Sequence, residues 1–142
     1  MLDGDNVIII DMGMCLRVPV MNPITKERFL ITPQGTCGKW QYMSPEICNG
    51  ATPFDGHAVD LWAVGVILFI MLTGYPPWEK AVLTDERFKF MANGYLVNML
   101  TEWKTGLSGD AMDLLQRMFW LDPIDRLSLE QVWAHPWTQK KV

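Results

Sequence analysis

Apolar and polar positions along the chain follow three different rhythms. Val7-Ile8-Ile9-Ile10 is an unbroken apolar run of mostly β-branched residues bounded by turn formers, which predicts a short buried strand. Asp3-Gly4-Asp5-Asn6 before it has the composition of a hairpin turn. Only Met1-Leu2 precede that turn, so the sequence is expected to begin inside a structural element. From Met14 to Gln41 no period is sustained, and Pro19, Pro23, Pro33, Gly35 and Gly38 interrupt the stretch. Such length predicts a long loop of functional or disordered character. Beyond it the rhythm becomes helical.

Ser44-Pro45-Glu46-Ile47 opens a short helix with proline in its first turn. His57 to Thr73 predicts the longest helix, apolar nearly all round and therefore central and buried, with Gly74 closing it and Pro76-Pro77 preventing continuation. A weaker amphipathic helix runs from Thr84 to Asn93 and ends at Gly94. Ser108 caps another, in which Ala111, Leu114, Leu115, Met118 and Phe119 share one face. Ser128-Leu129-Glu130-Gln131 is a capping box, and that helix breaks at His135-Pro136. The prediction is a mainly α domain: one strand or partial hairpin, a long loop, then about five helices around a buried central one.

Composition narrows the function. The chain has 142 residues, 49% of them hydrophobic and 20% charged, which suits one globular domain. Seven Trp and ten Met imply a bulky helical interior, or an apolar face that expects to be covered. A net charge of -4 argues against nucleic acid as a partner. Cys15, Cys37 and Cys48 form no C-x-x-C pair and stand apart from His57 and His135, so zinc is not expected and reduced thiols are. No signal peptide is visible at the N-terminus. The longest apolar run, Leu61 to Leu72, has twelve residues. A membrane span needs about 20, so an intracellular, cytoplasmic protein is expected.

Four motifs occur in a fixed order. They are Ile9-Ile10-Asp11-Met12-Gly13; Cys37-Gly38-Lys39-Trp40-Gln41-Tyr42-Met43-Ser44-Pro45-Glu46; Asp60-Leu61-Trp62-Ala63-Val64-Gly65, whose helix ends Thr73-Gly74-Tyr75-Pro76-Pro77-Trp78; and Asp122-Pro123-Ile124-Asp125-Arg126, followed by His135-Pro136-Trp137. Together they resemble the second half of the Ser/Thr protein kinase family: D-F-G, C-G-T-x-x-Y-x-[AS]-P-E, D-x-W-[AS]-x-G and D-P-x-x-R. The T-G-x-P-P-W and H-P-W endings are most similar to calcium/calmodulin-dependent kinases. The resemblance covers almost the whole chain and implies a kinase C-terminal lobe. Residues 1–13 would be the strand and metal-binding motif, 14–46 the activation segment and 47–138 the helical subdomain.

What the resemblance implies can be stated residue by residue. Asp11 would hold Mg²⁺ on the ATP phosphates, and Gly13 would let the backbone swing beside it. Thr25, Thr32 and Thr36 are phosphorylatable, with Thr32 and Thr36 preferred; Lys39 and Tyr42 belong to the loop that meets a protein substrate. Glu46 and Arg126 would form a buried ion pair of structural role. Asp60 would accept hydrogen bonds from a catalytic loop, or else act as an ordinary acid in the first turn of a helix. Trp62, Leu68, Phe69 and Trp137 are read as core.

The chain also departs from the family. Met12 stands in place of Phe and Lys39 in place of Thr. No G-x-G-x-x-G, V-A-x-K or H-R-D sequence is present, so phosphate clamp and catalytic base are missing from these residues. The chain by itself is therefore expected to be inactive and to bind ATP and Mg²⁺ weakly or not at all. Three readings follow: part of a kinase that needs its N-terminal lobe, a non-catalytic kinase-like module that docks substrates or a full-length kinase, and an unrelated helical scaffold.

Overall fold

The computed structural model describes residues 2–3, 6–19, 21–32, 38–51 and 53–140. Strands β1 (Leu2–Asp3) and β2 (Asn6–Val7) pair antiparallel, with Leu2 opposite Val7 and Asp3 opposite Asn6. Gly4 and Asp5, inside the expected turn, lie outside the described residues. The buried strand expected over Val7–Ile10 is corrected. Strand β2 itself spans only Asn6 and Val7. Among the described residues no second layer covers the run, and Ile9 is 79% exposed.

The chain then turns through a single 3-10 turn, Met12–Met14. The following stretch is irregular, as its sequence predicts, but it has local order. Met21 and Arg28 form an isolated antiparallel bridge, and the Asn22 amide donates to the Glu27 carbonyl at 2.8 Å. Asn22 Oδ1 accepts from the amides of Ile24 and Thr25, the Asx geometry that tightens such a turn. Ile31 pairs with Phe54 through two backbone hydrogen bonds of 2.7 and 3.0 Å. Helix α1 (Pro45–Cys48) then begins with proline at its first position.

Helix α2 (Gly56–Thr73) is the spine. Asp55 caps it by accepting from the amides of His57 and Ala58, and Gly74 closes it at φ 81°, a left-handed conformation that costs glycine little. Ala58, Trp62, Gly65, Val66 and Phe69 form its buried side. The expectation that α2 is buried all round is corrected, because Val64, Ile67 and Met71 are exposed on another face. At 18 residues it is long and apolar enough to cross a membrane by length and composition. Its buried face, however, is already occupied by the protein's own core.

That core is aromatic. Trp62 packs on Trp78 at 5.3 Å and on Phe119 at 5.2 Å between ring centroids, and Trp78 meets Phe119 at 4.9 Å. Tilted and edge-on pairs of this kind add to the burial of large apolar surfaces. Trp78 arrives here from the Pro76-Pro77 turn. Asp85 holds that turn by accepting from the amides of Glu79, Lys80 and Phe88, the last at the start of helix α3 (Glu86–Phe90). Burial raises the Asp85 pKa, but these amides and Arg87 outweigh it and leave the carboxyl below its ordinary value.

The helix expected over Thr84–Asn93 continues farther than its sequence suggests. A π-turn, Met91–Tyr95, carries Gly94 at φ 85°, and the chain then re-enters helix α4 (Leu96–Glu102). Gly94 breaks the helical ladder, yet the burial of Leu96, Met99 and Leu100 restarts it. Helix α5 (Gly109–Met118) is capped by Ser108 and lies against α2 and α4. Its predicted apolar face, Ala111, Leu114, Leu115, Met118 and Phe119, is buried.

Helix α6 (Leu129–Trp133) starts with the predicted capping box, both reciprocal bonds of Ser128 and Gln131 being formed. His135 breaks it and caps helix α7 (Pro136–Gln139) by accepting the Trp137 amide. Leu114, Met118 and Leu127 form a second small core, against which Leu68, Val132 and Trp137 pack. The described residues thus hold seven α-helical segments rather than about five. The two unforeseen ones, α4 and α7, are short and each follows a breaker.

Candidate functional site

Asp11 occupies the turn between the apolar run and the 3-10 turn, with φ 64° and ψ 67°. A left-handed conformation is strained for most L-residues and tolerated best by Asn and Asp. Its carboxylate is exposed, and Oδ1 lies 3.5 Å from where a Cβ on Gly13 would stand. A hard, open carboxylate oxygen suits Mg²⁺, which takes one or two such ligands beside phosphates and water. Among the described residues no group of three or more His, Cys, Asp or Glu side chains gathers around a common point.

The second cluster is buried. Arg126 is sealed from solvent and its guanidinium meets Glu46 as a two-pronged fork. Nη1 donates to Oε1 at 2.8 Å and Nη2 to Oε2 at 3.1 Å. The remaining donors are used as well. Nη1 reaches the Ala58 carbonyl at 2.8 Å, Nε the Trp120 carbonyl at 3.1 Å and Nη2 the Leu121 carbonyl at 3.4 Å. The guanidinium also lies 4.9 Å from the ring centroid of Trp62. One arginine therefore joins α1, the start of α2 and the loop after α5. Planar bidentate geometry gives such a pair direction as well as strength.

Asp60 stands on α2 with an exposed carboxylate. Desolvation pushes its pKa above the ordinary carboxylate value, and His57 pulls the other way. No hydrogen bond joins Asp60 to another described side chain. Lys39 and Trp40 lie on the surface, and Tyr42 is half-buried against the main core. A turn closes between them through the Tyr42 amide and the Lys39 carbonyl at 3.0 Å. Thr32 is exposed, directly after the Ile31–Phe54 bridge. Thr36, together with Cys37, lies outside the described residues.

Two contacts at this surface are not visible from sequence spacing. Lys80 Nζ sits 3.9 Å above the ring centroid of Trp40, joining the loop before α1 to the turn before α3. Arg28 Nη1 binds Asp55 Oδ2 at 2.6 Å and the Pro123 carbonyl at 3.3 Å. Each joins residues far apart in the chain, so no local pattern announces it. The tryptophan count is explained only in part: Trp62 and Trp78 are fully buried, while Trp40, Trp103, Trp120 and Trp133 are exposed.

A Ser-Pro-Glu turn pinned by the arginine of an Asp-Pro-x-x-Arg loop, over a tryptophan-bearing central helix, is the arrangement the motif order implies for a kinase. Residues 1–138 match the model of the protein kinase domain, and the chain belongs to that family. It is 38% identical over 104 residues to the human SNF-related serine/threonine-protein kinase, covering 73% of this chain and 13% of that protein. To the serine/threonine-protein kinase CHK1 of Mycosarcoma maydis it is 33% identical over 141 residues, 99% of this chain and 20% of the relative. To the calcium/calmodulin-dependent protein kinase cmkB of Emericella nidulans it is 30% identical over 135 residues, 95% of this chain and 31% of the relative. The chain thus spans from 13% to 31% of the length of these relatives.

Proposed function

We propose that these residues form the C-terminal lobe of a Ser/Thr protein kinase, whose reaction transfers the ATP γ-phosphate to a protein hydroxyl. Asp11 would hold Mg²⁺ through its carboxylate, and the ion when bound would supply positive charge that neutralises the phosphates. Residues 14–46 serve as activation segment, and the turn Lys39–Tyr42 faces the protein substrate. Glu46 and Arg126 set the position of that turn and take no part in the chemistry.

One observation carries the reading that this lobe works with an N-terminal half. Asp60, Val64, Ile67 and Met71 recur at helical spacing along α2, and all four are exposed. An apolar stripe on the central helix, beside a carboxylate whose pKa desolvation raises and which no described side chain hydrogen-bonds, suits a catalytic loop and helix packed there. The 142 residues alone then transfer no phosphate. Free thiols at Cys15 and Cys48 suit the reducing interior of a cell, where we place the protein. The likeness to calcium/calmodulin-dependent kinases rests on the T-G-x-P-P-W and H-P-W endings and on the 30% identity to cmkB of Emericella nidulans.

Mg-ATP at millimolar concentration should leave the melting temperature of the 142-residue chain unchanged, since only a ligand that binds the folded state stabilises it. Joined to an N-terminal kinase half that ends in H-R-D-x-x-x-x-N, the chain should phosphorylate a Ser/Thr peptide. Asp11→Asn should abolish that transfer while complex formation persists. Transfer that survives Asp11→Asn would remove the metal-ligand assignment. A complex that forms but stays inactive would favour a non-catalytic docking module, the reading that Lys39 and Met12 support.

A further inference from the structure

Residues 21–32 form no regular helix or strand and lie almost wholly at the surface. Their placement depends on contacts with the first residues of α2. Ile31 exchanges two backbone hydrogen bonds with Phe54. Its side chain also fills the space above Gly56, where an added Cβ would collide with Ile31 Cδ1. Arg28 supplies the polar anchor, with Nη1 2.6 Å from Asp55 Oδ2 and 3.3 Å from the Pro123 carbonyl.

Asp55 divides its two oxygens. Oδ1 accepts from the amides of His57 and Ala58 and so caps α2, while Oδ2 binds Arg28. The carboxylate is 7% exposed and the Arg28 side chain 40% exposed. The pair is thus half shielded and short, the setting in which a charge-assisted bond exceeds an ordinary surface bridge. The Asn22 turn presents Arg28 in register, because Met21 and Arg28 are bridge partners across it. Two backbone bonds at Ile31 alone do not offset the entropy of ordering a dozen surface residues.

We propose that Arg28, seated on Asp55 and the Pro123 carbonyl, is a latch that fixes the activation segment to the start of α2 through the chain's own charge, with no phosphate required. Arg28 is a positioning residue, acting through Ile31 and the residues that follow it. The latch does not depend on catalysis, and backbone exchange reads it whether or not the chain belongs to an active kinase.

Hydrogen–deuterium exchange on the full 142-residue chain tests this. Arg28→Ala and Asp55→Asn should each speed exchange of residues 21–31 by about tenfold or more. Asp55→Asn should leave the first turn of α2 protected, because Asn caps as well as Asp. The double variant should exchange no faster than Arg28→Ala. Raising NaCl from about 0.1 M to about 1 M should loosen the same residues in the wild type and not in Arg28→Ala, since screening shortens from about 10 Å to about 3 Å. Arg28→Ala within about twofold of the wild type would overturn the latch. So would Asp55→Asn loosening α2 along with the segment.

Discussion

Removing Glu46 should be among the most damaging single changes to this fold. In Glu46→Ala the guanidinium of Arg126 keeps the carbonyls of Ala58, Trp120 and Leu121 but loses its carboxylate. Arg126 is fully buried and Glu46 only 10% exposed, so little water can replace the lost charge. Breaking such a pair from one side costs about 3–5 kcal/mol. Domains of ordinary stability hold about 5–15 kcal/mol in total, so from about a fifth to all of the margin is at stake. Urea unfolding followed by tryptophan fluorescence reads this directly. With a slope near 2 kcal/mol/M the midpoint should fall by about 2 M, the slope itself staying constant. Glu46→Leu combined with Arg126→Met removes both charges and keeps volume. Its cost should fall short of the summed single changes by about 1.5 kcal/mol or more, since contacting residues couple by about 0.5–3 kcal/mol. A Glu46→Ala cost below about 1 kcal/mol would place the pair with solvated surface bridges and refute the reasoning.

Two further outcomes follow from the geometry. Asp113 has its pKa lowered chiefly by the hydrogen bond from His135, against some desolvation, with Arg117 adding to the lowering. A depressed folded-state pKa gives stability above the ordinary carboxylate value of 3.8, lost as pH falls through the folded value. Urea midpoints should therefore drop below about pH 4, and Asp113→Asn should flatten that part of the profile. Gly65→Ala would place a Cβ 2.9 Å from Phe119 Cε1 and 3.3 Å from Met118 Cβ. Phe119 packs on both Trp62 and Trp78, so overpacking there should cost about 1–3 kcal/mol in a thermal melt.

Legibility in the sequence followed the range of the forces involved. The cap of α5 at Ser108 and the reciprocal box at Ser128–Gln131 were readable because each is settled within four residues. Helix α2 was readable from its length and its closing Gly74. Its uncovered stripe was not, since composition cannot tell which faces of an apolar helix find partners. The run Val7–Ile10 misled for the same reason: β-branched residues predict a strand, but burial needs a second layer. Helix α4 was hidden behind Gly94, a stop signal that tertiary packing of Leu96 and Leu100 overrides. At the site, motif order led to Glu46 and Arg126, which lie 80 residues apart. Arg28 and Asp55 belong to no motif, and complementary charge is too common at surfaces to single out one pair.

The fork between Glu46 and Arg126 also sets a timetable for synthesis. Its partners are separated by 80 residues, and Arg28 waits for a carbonyl 95 residues ahead. A ribosome adds about 5–20 residues per second, so the short helix after Pro45 stays unpinned for roughly 4–16 s after it is made. Closing a loop of that length costs about 4 kcal/mol of chain entropy, which the contacts made around Arg126 must offset. A nascent chain that stalls before residue 126 has every part of the central helix but lacks the arginine that pairs with Glu46 at the start of α1.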